Sequence, residues 1–413
     1  MYIVTLKDGL KNSNLEGHLD DLRAAYDSTV DFAGIEAFKG ETYGYLGYTG
    51  TFTPEVVHFI RNQTAVESVE QSKTKNFDEV LNEPGTDSRV EDDLKFVTEP
   101  VGLQRRAGQE VTQRVAPHNL RDISHRFALR SWEPSFLYKY YYNTEAGSDT
   151  YAYVVDSGVR ITHKQFEGRA EHGWSPFRDQ EDRKGHGTHV AGIIASKTYG
   201  VVKKARIISV KVTQEGAIAD HILMKAVNWI MKDVQDKGRI GKAVINMSLS
   251  VGRSESLDRL IRKAFDAGVL TVAAAGNKGD CDLVSPADSP KALTVASINT
   301  DWSVATFCKL RSTVALFAPG AQIRSLTNRS DSGYVKKTGT SMAAPHVAGL
   351  VLNAMSVHGI RGAQQITDYL KKTATSGQIK GDLNGLPNLV ANNNNPKQRR
   401  MCDTGSEAAD VSG

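Results

Sequence analysis

The stretch Gly339-Thr340-Ser341-Met342-Ala343-Ala344-Pro345-His346 decides how the rest of the chain is read. It leads from a loop into Val347-Ala348-Gly349-Leu350-Val351-Leu352, an apolar run expected as a buried helix. Ser341 would then stand at a helix N-terminus, where backbone N–H groups and the positive dipole end favour a developing oxyanion. Taken alone, Gly-Thr-Ser reads as readily as a turn. A serine hydroxyl is barely nucleophilic at neutral pH and needs an adjacent base, so the remaining sequence has to supply a base and an acid.

Both are present. Tyr151-Ala152-Tyr153-Val154-Val155 is a short apolar run expected as a buried strand. Asp156-Ser157-Gly158 ends it, placing a carboxylate at a strand's carboxyl end, where open α/β sheets build their sites. Gly185-His186-Gly187-Thr188-His189-Val190-Ala191-Gly192 then opens a second helix. The order Asp156, His186, Ser341 is that of the subtilisins, unlike the chymotrypsin and α/β-hydrolase orders. With these three motifs the chain resembles the subtilisin-like serine proteases, which implies a mostly parallel sheet flanked by helices. His186 would take the serine proton and later return it to the leaving amine. Asp156 would hold the imidazole tautomer and stabilise its protonated form. His189, His163 and His346 are expected to pack or hydrogen-bond nearby.

Leu270-Thr271-Val272-Ala273-Ala274-Ala275 reads as a strand ending at Gly276-Asn277. An Asn after Gly is by itself a turn residue. The resemblance makes Asn277 the side-chain oxyanion donor, paired with the Ser341 N–H. It also places Ser248, Leu249 and Ser250, after the strand Ala243–Met247, along one wall of the primary pocket. Ser250 and Val251 stand where the family has glycines, leaving the width of that wall open. Gly216, after Val210-Lys211-Val212, matches the opposite wall. Both segments read equally as ordinary strands.

Within the superfamily the likeness leans to the proteinase K and cerevisin branch, through Phe166-Glu167-Gly168-Arg169-Ala170, Lys197-Thr198-Tyr199-Gly200-Val201, Phe317-Ala318-Pro319-Gly320 and Leu386-Pro387-Asn388-Leu389-Val390. Relatives there hold calcium with two backbone carbonyls, matching Pro290 and Ala292, and one aspartate. Ala315 occupies the aspartate position, so a weak or absent calcium site, and no other metal or cofactor, is expected. The same relatives carry a cysteine where Cys281 lies. Cys308 is displaced from their second position, which Thr313 fills. A Cys281–Cys308 bridge and two buried free thiols both remain open, and Cys402 is expected free.

Residues 1–78 read as a separate unit. Tyr2–Leu6 is an expected strand, and Leu15, Leu19, Leu22 and Tyr26 line a helical face after a Ser13/Asn14 cap. Strands are expected near 30–38 and 42–48, then a helix with Thr53 at N-cap and Pro54 at N1, and a strand at 65–70. This βαββαβ order is ferredoxin-like, α+β. It resembles the inhibitor-type propeptide of fungal subtilisins; an independent binding domain is the alternative. Residues 79–110 lack periodicity and read as a linker, with processing near Arg105-Arg106 or just ahead of Val111. Arg105-Arg106 reads equally as a solvated basic pair. The peptidase domain is placed at 111–391, and 392–413, with its asparagine run, as a disordered tail.

The chain has 413 residues, 40% hydrophobic and 24% charged, enough for two or three domains. A net charge of +4 gives no reason to expect a nucleic-acid partner, and no apolar run is long enough for a membrane span. Three cysteines do not make a disulfide scaffold. Met1 begins the first unit directly, so no signal peptide is expected in this sequence; relatives are extracellular or vacuolar, and either the signal has been cut from this version of the sequence or the protein stays inside the cell. Asn62-Gln63-Thr64 and Asn328-Arg329-Ser330 read as exposed glycosylation sequons, whereas Asn246-Met247-Ser248 reads as buried. The expectation is a monomeric serine endopeptidase zymogen whose partners are protein and peptide substrates and its own propeptide. A pseudoprotease that only binds peptides and a serine esterase of another fold are the competing readings. Ala343, where an α/β-hydrolase elbow needs Gly, speaks against the latter.

Overall fold

The computed structural model describes residues 1–76, 108–128, 138–214, 216–277 and 283–398. Its main layer is a nine-stranded sheet. The spatial order is Thr375–Ser376, Leu389–Val390, Val314–Pro319, Ala292–Ile298, Leu270–Ala274, Ala243–Met247, Tyr151–Asp156, Arg206–Lys211, Ala170–Trp174. Every neighbouring pair is parallel except Thr375–Ser376 with Leu389–Val390 at one edge. Parallel strands covered on both faces are apolar throughout rather than alternating, and Tyr151–Val155 and Ala243–Met247 are such runs. Ala152 and Val154 pack with the helices His186–Ala195, Thr340–Ser356 and Ala363–Thr373 on one face. Tyr153 and Val155 point the other way, onto Asp220–Asp236 and Glu255–Asp266. Each fully buried Val or Leu contributes about 1.5–3 kcal/mol, so the strand that ends in Asp156 is held from both sides.

The N-terminal unit forms a four-stranded antiparallel sheet in the order Glu36–Gly40, Tyr45–Gly50, Tyr2–Leu6, Val66–Gln71. Helices Asn12–Tyr26 and Pro54–Arg61 pack on it, the second with Thr53 Oγ1 accepting from Val56 N at 3.4 Å. The first helix starts before the expected Ser13/Asn14 cap: its N-cap is Lys11, and Asn14 Oδ1 reaches back to Lys11 N at 2.8 Å. The strand expected near 30–38 is delayed to Glu36 because Asp31 Oδ1 accepts from Ala33 and Gly34 N and closes a 3₁₀ turn over Phe32–Gly34.

The other face of this small sheet joins the main core. Ile3, Phe38, Tyr43 and Tyr45 cluster with Leu257, Leu260 and Val155. Around that contact Asp8 pairs with Arg259 at 2.9 Å and Lys263 at 2.7 Å, and Glu36 with Lys225 at 2.6 Å.

Residues 392–398 correct the expected tail. Asn392, Asn393 and Asn395 are buried. Asn392 Nδ2 donates to His125 O at 2.9 Å and Asn393 Nδ2 to Tyr141 O at 2.6 Å. The run reads as disorder because its partners lie 267 and 252 positions away in sequence. Of the sequons, Asn62 is exposed but Asn328 is only half-exposed, its amide donating to Asp182 O at 2.7 Å. Cys308 is a buried free thiol. Cys281, Cys402, Arg105 and Arg106 lie outside the described residues.

Candidate active site

Asp156 is the last residue of its strand, and both it and His186 are almost fully buried. His186 Nδ1 lies 2.8 Å from Asp156 Oδ1 and 3.0 Å from Oδ2. An ionised carboxylate only accepts, so Nδ1 carries the proton and Nε2 is the basic face. Asp156 Oδ1 also accepts from Ser157 N at 2.8 Å, which fixes its rotamer. Gly187 is required by this close approach: a Cβ there would meet Gly158 O at 2.1 Å and Asp156 Cβ at 3.0 Å.

One side chain that the motifs did not single out ties these two residues together. Asp182 is buried, and its carboxylate accepts from Ser157 Oγ at 2.8 Å. It also accepts from Gly185 N at 2.8 Å, Thr188 N at 2.9 Å and Thr188 Oγ1 at 2.6 Å. The donors Gly185 and Thr188 frame the start of the His186 helix, so a negative charge sits on its positive end. In sequence Asp182 is one charge in a polar loop, and nothing in that loop marks it as buried.

Ser341 is the second residue of the helix Thr340–Ser356, where backbone N–H groups have no partner within the helix. Pro345, four residues on, has no N–H to give to the Ser341 carbonyl. Ser248 Oγ donates to that carbonyl instead, at 2.9 Å, and Ser341 Oγ in turn donates to Ser248 O at 3.1 Å. The residue expected as a pocket wall therefore holds the Ser341 backbone. Leu249 and Ser250 are buried beside it, and Val251 leaves that wall to pair with Ser285. Asn277 Oδ1 accepts from Thr340 N and Oγ1, each at 3.2 Å, which fixes the amide beside Ser341.

His346, His189 and His163, expected to pack or hydrogen-bond nearby, do so. His346 donates from Nδ1 to Met342 O at 2.8 Å and accepts from Asn119 at 2.7 Å; burial pushes its pKa down to about 3. His189 donates from Nε2 to Ile323 O at 3.0 Å and is held neutral by burial. His163 donates to Gly333 O at 2.9 Å.

Gly216 has φ +101° and turns the chain into the short strand Ala217–Ala219. That strand is paired antiparallel by Thr74–Asn76 of the N-terminal unit, with Ala217 opposite Asn76 and Ala219 opposite Thr74. Asp220 fastens the junction: Lys73 N lies 3.2 Å from both of its carboxylate oxygens, and Asp220 N donates to Lys73 O at 3.1 Å. Glu70 does something else. Its carboxylate caps the helix Glu255–Asp266, accepting from Ser256 N at 2.7 Å, Ser254 Oγ at 3.1 Å and Glu255 N at 3.2 Å. Glu70 therefore faces this helix, and it is Thr74–Asn76 that pair with Ala217–Ala219.

At the position matched to the calcium aspartate, Ala315 carries no side-chain oxygen.

Residues 147–396, more than half of the chain, match the subtilase family of peptidases. Alkaline protease 1 of Aspergillus clavatus is 35% identical over 403 residues, spanning 95% of this chain and 90% of its own. Subtilisin-like proteinase Mp1 of Magnaporthiopsis poae is 36% identical over 405 residues, spanning 95% and 91%. The crystal structure of a cold-adapted subtilisin-like serine proteinase superposes with a TM-score of 0.59 at 33% identity, over 67% of this chain and 98% of that one. The chain belongs to the subtilase family. It is a subtilisin-type serine protease. Among the described residues no helix is long and apolar enough to cross a membrane.

Proposed function

We propose that the chain is a serine endopeptidase zymogen in which Asp156, His186 and Ser341 cleave peptide bonds through an acyl-enzyme. The bond from His186 Nδ1 to the Asp156 carboxylate carries this reading, because it aims the basic nitrogen away from the acid. Ser341 Oγ attacks the substrate carbonyl and passes its proton to His186 Nε2. Asp156 stabilises the imidazolium. The developing oxyanion is met by the Ser341 N–H and the Asn277 amide; loss of one such donor costs roughly 10²–10³ in turnover in subtilisin itself. His186 returns the proton to the leaving amine, and water, activated by the same imidazole, hydrolyses the ester.

Residues 1–76 act in this proposal as the front of an inhibitor-type propeptide that the enzyme itself removes. The added strand Thr74–Asn76 supports it, since extended peptides bind by completing an exposed sheet edge. The substrate then runs antiparallel to Ala217–Ala219 with Ser248–Ser250 as the other wall. Catalysis proceeds without a calcium requirement, and the enzyme is monomeric.

Labelling the mature form with a fluorophosphonate, then offering casein and short esters, tests the class. Labelling of Ser341 with casein hydrolysis supports the endopeptidase; ester cleavage alone supports the esterase reading, and no labelling the pseudoprotease. Ser341→Ala should abolish hydrolysis and leave the chain at full length. A normally processed S341A product would show that another protease makes the cut.

A further inference from the structure

Arg311 belongs to none of the sequence motifs, yet it closes around the segment that presents Asn277. It is 6% exposed. Its Nε donates to Ala275 O at 2.8 Å, and its Nη1 is paired with the buried carboxylate of Asp288. A Cβ built on Gly276 would lie 4.0 Å from its Nη2. The guanidinium therefore runs alongside Ala275-Gly276, the two residues that deliver Asn277.

That segment has left the sheet. The strand ends at Ala274, and Ala275 keeps one ladder-like bond, from its N to Val295 O at 2.9 Å. Beyond it, Gly276 N donates to Thr340 Oγ1 at 3.1 Å and Gly276 O accepts from Lys309 N at 3.0 Å. Arg311 adds the bond that fixes the Ala275 carbonyl, and Asp288 fixes Arg311. A buried ion pair is weak evidence for stability, because desolvation commonly outweighs the attraction. It is better suited to fixing one geometry, and a guanidinium fork does this where a lysine point charge does not.

We propose that Arg311 is a positioning residue for oxyanion stabilisation, holding the Ala275 carbonyl so that the Asn277 amide faces the site where negative charge develops. The proposal rests on the assignment of Asn277 as the oxyanion donor. A donor fixed in advance needs no reorganisation as the charge forms, and a misplacement of about 1 Å can cost on the order of 10²-fold.

The test compares Arg311→Ala, Arg311→Lys, Asn277→Ala and the double variant N277A/R311A as mature enzymes. Active sites are counted by fluorophosphonate titration, so that unfolded or unprocessed chains do not enter. R311A should lower kcat on a peptide anilide about 10- to 100-fold with KM within about threefold, and R311K should fall between it and the parent. If Arg311 acts through Asn277, the double variant is no slower than N277A alone, the signature of coupled residues. Unchanged kcat in R311A, or a double variant whose loss is the product of the two single losses, overturns the proposal while leaving the Asn277 assignment intact. A loss of less than about tenfold in N277A itself overturns that assignment instead, and with it the role of Arg311. Where R311A does not accumulate, R311K and N277A/R311K carry the same comparison.

Discussion

Replacing Glu70 by Ala should loosen the N-terminal unit from the peptidase domain without touching Asp156, His186 or Ser341. Glu70 supplies an anion to the helix Glu255–Asp266, accepting from Ser256 N at 2.7 Å, Ser254 Oγ at 3.1 Å and Glu255 N at 3.2 Å. A hydrogen bond to a charged group is worth about 1.5–3 kcal/mol and a carboxylate at a helix N-terminus about 0.3–1 kcal/mol. Glu70 is half-exposed and its four bonds, the fourth from Ser256 Oγ, share one charge, so they do not add in full, and the loss is set at about 2–4 kcal/mol. At about 1.4 kcal/mol per tenfold, Ki rises roughly 30- to 700-fold. The assay titrates mature enzyme with separately produced segment 1–78, parent or E70A, and follows hydrolysis of a peptide anilide. Melting curves of both segments separate weak docking from a segment that no longer folds. A Ki within about threefold of the parent, with the segment folded, would refute the argument that this cap holds the two units together.

Asp258 gives a pH prediction. Burial pushes its carboxyl up to about 6, with Glu70 and Asp288 nearby adding to the rise and the Ser285 hydroxyl and Arg253 opposing it. An acid raised on folding contributes stability that is fully present below about pH 4 and lost as pH rises through 6. Asp258→Asn cannot ionise and still accepts from Ser285 Oγ, so it should match the parent near pH 4. At pH 8 it should be more stable by ~1–3 kcal/mol. Equal melting shifts at both pH values would contradict this. For calcium, adding chelator should leave the melting temperature of the mature enzyme within about 2 °C, where loss of a site worth about 4 kcal/mol would lower it by roughly 7 °C; such a fall would reveal an ion held elsewhere.

The motifs around Asp156, His186 and Ser341 were legible because each is a local backbone device. Strand ends and helix starts are written in consecutive residues, as in Tyr151–Val155 before Asp156 and in Gly185-His186-Gly187. The parallel sheet was implied by the resemblance that those motifs carry, and the βαββαβ order of the N-terminal unit followed from alternating periods and the Thr53-Pro54 cap. What joins these pieces was not legible. Arg311, the Ser248 hydroxyl and the Asn392–Asn395 run act through hydrogen bonds to groups far away in the chain, and Asp182 through several bonds within and beyond its own loop; such bonds leave no period in the sequence. The pairing of Thr74–Asn76 with Ala217–Ala219 was hidden for the same reason: both are short polar or mixed segments, and their register is set by Asp220 and by the core shared between Phe38, Tyr45 and Leu257. The sequence alone determined which chemistry the chain carries, because that chemistry sits on locally encoded turns. Tertiary structure alone decided how firmly those groups are held and what covers them, because burial of a charged side chain depends on elements that meet only once the chain has folded.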